Sequence, residues 1–501
     1  MADNTFLRSP NLSKPGIPQM LRFVLISLFA VSTSPLAAAD WHQWRGPHRD
    51  GVATDSPPLI NRFPDSGLTP VWLSEEHVPS ARSGGWSSPV VANGRVIIFT
   101  HQRSKVATEE LPPARFPYLA PNKRTGMTAE EYEEYEQNRR DEQEQRSRNY
   151  RFDEVVYAFD AGTGKTVWKN EQVSVYTRFP QSGSPAVVDG RIYLLAAGRQ
   201  ARCLDEKTGT NLWQTKLPGE FRDEFLQSSF VVVDGVAVVL ANRVFGLDAL
   251  TGKVLWASEE ETGGNHTSPV VWNSGKRNHV LVNLRDDTCC LDAASGKELW
   301  RVRSEGGQAT PIVFGDLLIT YGNSRKKGLR CFQLAEDGAE HRWTYQGTGD
   351  PGGSPVLVDG HVYVQGEKRL ACVDIASGKA RWLTTLDVER PRYSSLIAAD
   401  GKIFYSFDSV LCFAADPEEF TQLVNAKIDA DGLLADEQVF RKVLNIDELE
   451  KTSEGQKAAE KLWRQKFGHS GPLSCCTPAI VDGRMFLRLQ DRVACYDLRI
   501  N

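Results

Sequence analysis

Residues 354–382 read SPVLVDGHVYVQGEKRLACVDIASGKARW, and this stretch decides the fold. Three short runs place Val, Ile and Tyr at alternate positions, the pattern of strands in a half-buried sheet. Asp359-Gly360 joins the first two runs. Both residues tolerate the positive φ that a two-residue hairpin turn requires. A polar turn from Asp374 to Lys379 follows the third run, and a fourth strand carries Trp382.

The unit returns along the chain. Asp160, Asp205, Asp248, Asp292 and Asp374 each stand eight residues before a Trp: Trp168, Trp213, Trp256, Trp300 and Trp382. Each also stands four before a Gly: Gly164, Gly209, Gly252, Gly296 and Gly378. The first strand of each unit opens on a small residue followed by Pro or an apolar residue. These starts are Ser88-Pro89, Ser184-Pro185, Ser229-Phe230, Ser268-Pro269, Thr310-Pro311, Ser354-Pro355, Ser395-Leu396 and Thr477-Pro478. Eight starts, mostly about 39–45 residues apart with four strands per period, predict an all-β, eight-bladed β-propeller. The last unit has three strands before the chain ends at Asn501, and Thr69–Leu73 supplies a spare strand with a Trp. The N-terminal strand is therefore expected to complete the last blade, leaving no open edge.

The propeller spans 69–501, preceded by an extension over 40–68 that is Pro- and Gly-rich and expected to lie across the ring. Residues 1–39 read as a signal peptide: Arg22, an apolar run from Phe23 to Val31, then Ala37-Ala38-Ala39 with cleavage before Asp40. The run is shorter than the roughly 20 residues of a membrane span, so no span is expected after cleavage. Met20 is an alternative start. These features predict export to the periplasm or the exterior. A net charge of −5, with Lys and Arg scattered through the repeats, excludes a nucleic-acid footprint.

Six of the nine cysteines, Cys203, Cys290, Cys331, Cys372, Cys412 and Cys495, share one repeat position that Ala158 and Gly246 fill elsewhere. They read as small core residues rather than a disulfide framework. Cys289 and the adjacent pair Cys475-Cys476 remain; the pair reads either as two thiols or as a vicinal disulfide. No CxxC is present.

Two insertions break the period. Over 103–152, Thr128-x-x-Glu131 is a capping box opening a charged helix. Over 416–474, Phe420, Leu423 and Val424, then Val439, Phe440 and Val443, then Ala459, Leu462 and Trp463, show helical spacing and predict a helical lobe. Both insertions are candidate surfaces for a protein partner. Asp429-x-Asp431-Gly432 hints at a calcium loop, but Lys427 stands at the first ligand position.

In a ring of blades, residues just before the innermost strands line the axial mouth. Three positions before each Pro or its equivalent stand Trp86, Ser182, Gln227, His266, Gln308, Gly352, Tyr393 and Cys475. Slightly upstream lie Arg178, Gln181, Arg222, Asp223, Asp350, Arg390 and Arg392. Arginines with aromatic walls suit a planar anionic ligand. His266 is a candidate base or ligand, and Cys475-Cys476 sits at the same mouth.

The repeat D-x-x-[ST]-G-K-x-x-W resembles the tryptophan-docking repeat of the pyrroloquinoline quinone (PQQ) propeller superfamily, over about residues 69–501. That superfamily includes quinoprotein alcohol dehydrogenases and non-enzymatic members such as the propeller lipoprotein of the outer-membrane β-barrel assembly machinery. The opening Trp41-x-x-Trp44-Arg45-Gly46-Pro47 resembles exported PQQ-like propellers. The resemblance implies PQQ with calcium between a Trp and a vicinal disulfide, roles that would fall to Trp86 and Cys475-Cys476. The family's cysteine pair lies early in the chain, however, whereas this one is in the last blade. None of the eight mouth positions is Glu, Asn or Asp. No cofactor follows from the residues themselves. Two functions are therefore expected: a binding or protein-interaction scaffold, with PQQ-dependent oxidation of an alcohol or sugar as the alternative.

Overall fold

The computed structural model describes residues 40–108, 110–221, 226–261, 266–388, 391–468 and 470–500. The expected signal peptide and cleavage site, and Arg222, Asp223 and Arg390, lie outside the described residues. No helix among the described residues is long and apolar enough to cross a membrane.

Eight blades form a propeller. Blade 6, the founding stretch, runs Val356–Val358, His361–Gly366, Arg369–Asp374 and Ala380–Thr385, hydrogen-bonded in that order. Its hairpin has Asp359 at φ 45° and Gly360 at φ 78°, the left-handed pair that matches strand twist. Blade 4 runs its middle strands as one segment, Asn278–Asp292, pairing with Val270–Asn273 and then with Glu298–Gly307. Blade 8 has Ala479–Val481, Arg484–Arg488 and Val493–Asp497. Trp72–Leu73 pairs with the last of these (Trp72 opposite Cys495), so the chain's two ends close the ring.

The repeat residues hold blade to blade. Each Asp folds its own turn: Asp205 Oδ1 accepts from the backbone N–H of Lys207 and Thr208 and from the Thr208 hydroxyl. Each Trp donates its indole N–H to a carbonyl of the next blade: Trp168 to Glu206, Trp213 to Ala249, Trp256 to Ala293 and Trp300 to Ala335. Trp72 donates to Ala161 and so docks blade 8 on blade 1. The shared cysteine position is explained by the same docking. Cys203, Cys290, Cys331 and Cys372 stand directly opposite Trp213, Trp300, Trp343 and Trp382, with Gly246 opposite Trp256. A Cβ on Gly246 would lie 2.1 Å from the Trp256 ring, so only small residues fit beneath the indole. All nine cysteines are free thiols.

The small residue opening each inner strand has its own task. The N–H of Ser88 donates to the Ser184 hydroxyl, Ser229 to Ser268, Ser268 to Thr310, Ser354 to Ser395 and Thr477 to Ser88. These hydroxyls form a collar around the axis and satisfy backbone groups that no ladder reaches.

Segment 40–53 crosses one end of the axis. Carbonyls of Trp41, His42 and Gly51 accept from the N–H groups of Val91, Val187 and Ala398, in blades 1, 2 and 7. Arg49, fully buried, donates to the carbonyls of Ser229 and Pro269 at 3.0 and 2.9 Å and to that of Phe230. Arg45, also buried, donates to the carbonyl of Pro355 in blade 6. Burial pushes the Arg49 guanidinium down to about 9, with the like charge of Arg45 adding to it. Both remain cationic at neutral pH, solvated by carbonyl oxygens in place of water.

The first insertion is carried on two long blade-1 strands, Arg95–Lys105 and Tyr150–Asp160. Its helix α1 (Ala129–Ser147) begins at Thr128 with both arms of the capping box formed. The second insertion differs from expectation at its start. Gln422–Ile428, which contains Leu423 and Val424, is a strand on blade 7, followed by a fifth strand, Leu434–Asp436. A bulge between Cys412 and Phe413 breaks strict alternation there, so the apolar spacing mimics a helix. Helices α2 (Glu437–Val443), α3 (Ile446–Leu449) and α4 (Ser453–Phe467) make the lobe. Asp429 folds its own turn by accepting from the N–H of Asp431 and Leu433, and Lys466 pairs with both carboxylates.

Candidate functional site

The phase of the repeat brings one residue from each blade around a single axial cavity of about 360 Å³. Trp86, Ser182, Gln227, His266, Gln308, Gly352, Tyr393 and Cys475 all line it. The collar residues Ser88, Ser184, Ser229 and Ser268 and Trp44, brought by the N-terminal segment, line it as well. The volume falls within the range of small-molecule sites, and the lining is mostly apolar with a few convergent polar groups.

Each wall is positioned locally. Trp86 N–H donates to the Ser182 hydroxyl at 2.9 Å, linking the mouths of blades 1 and 2. Tyr393 stands at φ 60°, and its N–H donates to Asp350 Oδ1 at 3.1 Å. The same oxygen accepts from Gly352 and Gly353 at 2.9 and 2.6 Å. Asp350 is therefore committed to folding the loop and does not line the cavity. His266 meets Tyr393 edge-on, ring centroids 6.3 Å apart. Burial pushes its imidazole down to about 4, so it is a neutral donor–acceptor at physiological pH. Gln227 Nε2 donates to the Pro180 carbonyl at 3.3 Å, which fixes the orientation of the amide. Its Oε1 is buried and has no hydrogen-bond partner among the described residues.

The cysteine pair is split by the backbone. Cys475, at φ 71°, lines the cavity and points its thiol at the Arg392 carbonyl, 3.6 Å away. Cys476 is buried behind it, its thiol 3.0 Å from the Trp86 carbonyl. Burial raises the two thiols to about 11 and about 12, so neither is a ready thiolate.

The arginine wall expected at the mouth is not in the described lining. Arg178 turns outward to Glu136 of α1 at 2.9 Å and lines a separate cavity beside the insertion. Arg392 is exposed and contributes its carbonyl, and Gln181 is buried behind the wall. The segments upstream of the mouth are loops whose direction the repeat does not govern. Sequence reasoning missed Trp44 and Phe179, which both line the cavity from outside the repeat. The Trp-Arg-Gly-Pro cluster in an otherwise polar extension was the available signal for Trp44.

A PQQ–calcium pair is a poor match to these walls. PQQ brings three carboxylates and calcium asks for anionic oxygen ligands, yet no described lining residue carries a carboxylate or a cationic side chain. Among the described residues no His, Cys, Asp and Glu cluster has the makings of a metal site.

A family model described as outer membrane protein assembly factor BamB matches residues 152–272 and 241–427. No curated protein matches the chain. Among solved structures, the quinohemoprotein alcohol dehydrogenase of Comamonas testosteroni aligns with TM-score 0.54 at 11% identity, over 92% of this chain and 80% of that one. A europium-containing methanol dehydrogenase aligns with TM-score 0.50 at 12% identity, over 78% and 85%. BamB of Moraxella catarrhalis aligns with TM-score 0.47 at 12% identity, over 69% and 89%. At such identities the likeness to the dehydrogenases is one of fold.

Proposed function

This chain belongs to the repeat family described as outer membrane protein assembly factor BamB, and from that premise we propose that it is an exported binding propeller. Its ligand is a small, uncharged, ring-shaped molecule bearing hydroxyl or amide groups, held at the axis. One observation carries this reading: a residue from every blade closes on one cavity whose described lining is aromatic, amide, hydroxyl, thiol and neutral imidazole, without a charged side chain. Trp44, Trp86, Phe179 and Tyr393 offer ring faces. Gln227, Gln308, neutral His266 and the collar hydroxyls offer directional hydrogen bonds. The orphan Gln227 Oε1 calls for a donor such as a ligand hydroxyl. Export, with the mature chain beginning at Asp40, is the compartment that goes with this reading.

PQQ-dependent oxidation is the second reading, and one observation favours it: Trp86 and Cys475 line the same cavity. The test separates the two. The mature protein is titrated with neutral mono- and disaccharides, and in parallel with PQQ and Ca²⁺, following tryptophan fluorescence, quinone absorbance and dye reduction with alcohols. Saturable quenching by a neutral ligand is expected. Saturable PQQ binding with turnover would replace this reading by the dehydrogenase.

A further inference from the structure

A second cavity, of about 330 Å³, lies between α1 and blade 1. Arg82, Arg103, Arg146 and Arg178 all line it, with Gln143, Tyr150 and other polar and aromatic groups. Two of these arginines are already answered. Arg178 pairs with Glu136, which also pairs with Arg139. Arg146 donates to the Pro112 carbonyl and lies 4.0 Å from Glu142, itself occupied by the N–H groups of Arg115 and Phe116.

Arg82 and Arg103 are different. The Arg82 guanidinium lies 4.5 Å over the Phe179 ring and that of Arg103 4.7 Å over Tyr150. Neither side chain makes a hydrogen bond or ion pair among the described residues. Stacking uses the face of a guanidinium and leaves its in-plane fork of N–H donors unspent. Partial desolvation, and then the like charges of Arg103, Arg139 and Arg178, push the guanidinium of the exposed Arg82 below its ordinary value. Such a fork matches the oxygens of a phosphate or sulfate in geometry and charge.

We propose that this cavity is a binding site for a phosphate or sulfate group, gripped by the free edges of Arg82 and Arg103 and distinct from the axial cavity. The intervening wall is the Phe179-Pro180 segment: Phe179 lines the axial cavity while its ring carries Arg82, and Pro180 lines the arginine cavity. The two cavities share only this segment among their described lining, and the oxyanion is gripped by arginines that do not line the axis.

The full mature chain is titrated with inorganic phosphate at constant ionic strength, reading melting temperature and heat of binding. A saturable response is expected in the native protein and in Arg62→Gln, an exposed arginine elsewhere that is paired with Asp65. The double variant Arg82→Gln/Arg103→Gln should weaken binding at least tenfold. Should that variant fail to fold, Arg103→Lys keeps the charge but loses the fork, and is expected to weaken binding measurably. An equal response in native and substituted proteins, or one that chloride reproduces, would overturn the proposal. Co-sedimentation with phosphatidylglycerol vesicles, competed by phosphate, would place the group on a lipid. Phosphate binding without sedimentation would place it on a soluble ester, and either leaves the oxyanion site standing.

Discussion

At the scale of single residues, the ring rests on a few atoms repeated with little variation. Gly296 shows why. It sits at φ 70° with the Trp256 indole across it, and a Cβ there would come within 2.3 Å of the ring. Gly94 has nearly the same backbone, φ 72°, but faces open space. Gly94→Ala should therefore cost only the left-handed conformation, about 1–2 kcal/mol. Gly296→Ala should cost that and also displace the docked indole, for a total of about 2–4 kcal/mol. Denaturant midpoints of the two variants measure the difference. Equal midpoints would mean that the indole contact contributes little. At the site, the imidazole of His266 makes a pH signature. Its folded pKa of about 4 lies below the unfolded value near 6.5, so the unfolded chain takes up a proton that the folded chain refuses. Stability is lost as pH falls from 6.5 towards 4. Melting temperatures of the native protein and of His266→Gln, compared from pH 7 to pH 4, should diverge in that window, with the native protein falling faster.

At the scale of elements, the repeat strands were legible because hairpin chemistry, alternation and the Asp–Trp spacing all agree. The mouth positions were legible for the same reason: a fixed phase puts the same place of every blade at the axis. Elements outside the repeat were legible only where local chemistry speaks, as in the capping box at Thr128. Leu423 and Val424 were misread because a bulged strand and a helix share their spacing, and Arg178 because a loop's direction is set by α1, which is distant in sequence. Trp44 belongs to the crossing segment, in which Arg49 makes more side-chain hydrogen bonds to the ring than Arg45 does. Arg49→Met would leave three buried carbonyls and the Gln43 amide oxygen without their donor, at about 1–3 kcal/mol each if the segment stayed in place. Detachment costs less than that sum, so the segment is expected to lift away while the blades persist. Hydrogen exchange at Val91, Val187 and Ala398, whose amides donate to Trp41, His42 and Gly51, reports this directly. All three should lose protection together. Retained protection would mean that the backbone bonds and Arg45 hold the segment without Arg49.

At the scale of the whole molecule, a ring of blades is stable only if its last interface closes, and here closure depends on a strand of two residues. Trp72 does two things at once. It pairs across from Cys495 to complete blade 8, and its indole covers Gly164 and donates to the Ala161 carbonyl of blade 1. Trp382 performs only the second task, docking blade 6 on blade 7 through the Asp416 carbonyl, within a blade whose strands are consecutive in the chain. Replacing either by Ala removes a large docked ring, at about 3–5 kcal/mol. The consequences should nevertheless differ in kind. Trp382→Ala should lower the melting temperature and leave a monomer, because every strand of blade 6 keeps its neighbours. Trp72→Ala weakens the strand that covers Val493–Asp497, and an uncovered edge pairs with other chains. It should therefore show early hydrogen exchange in blades 1 and 8 and concentration-dependent association by sedimentation velocity. If the two variants behave alike, with no association from Trp72→Ala, closure resides in the apolar contacts between blades 8 and 1 and not in the shared strand.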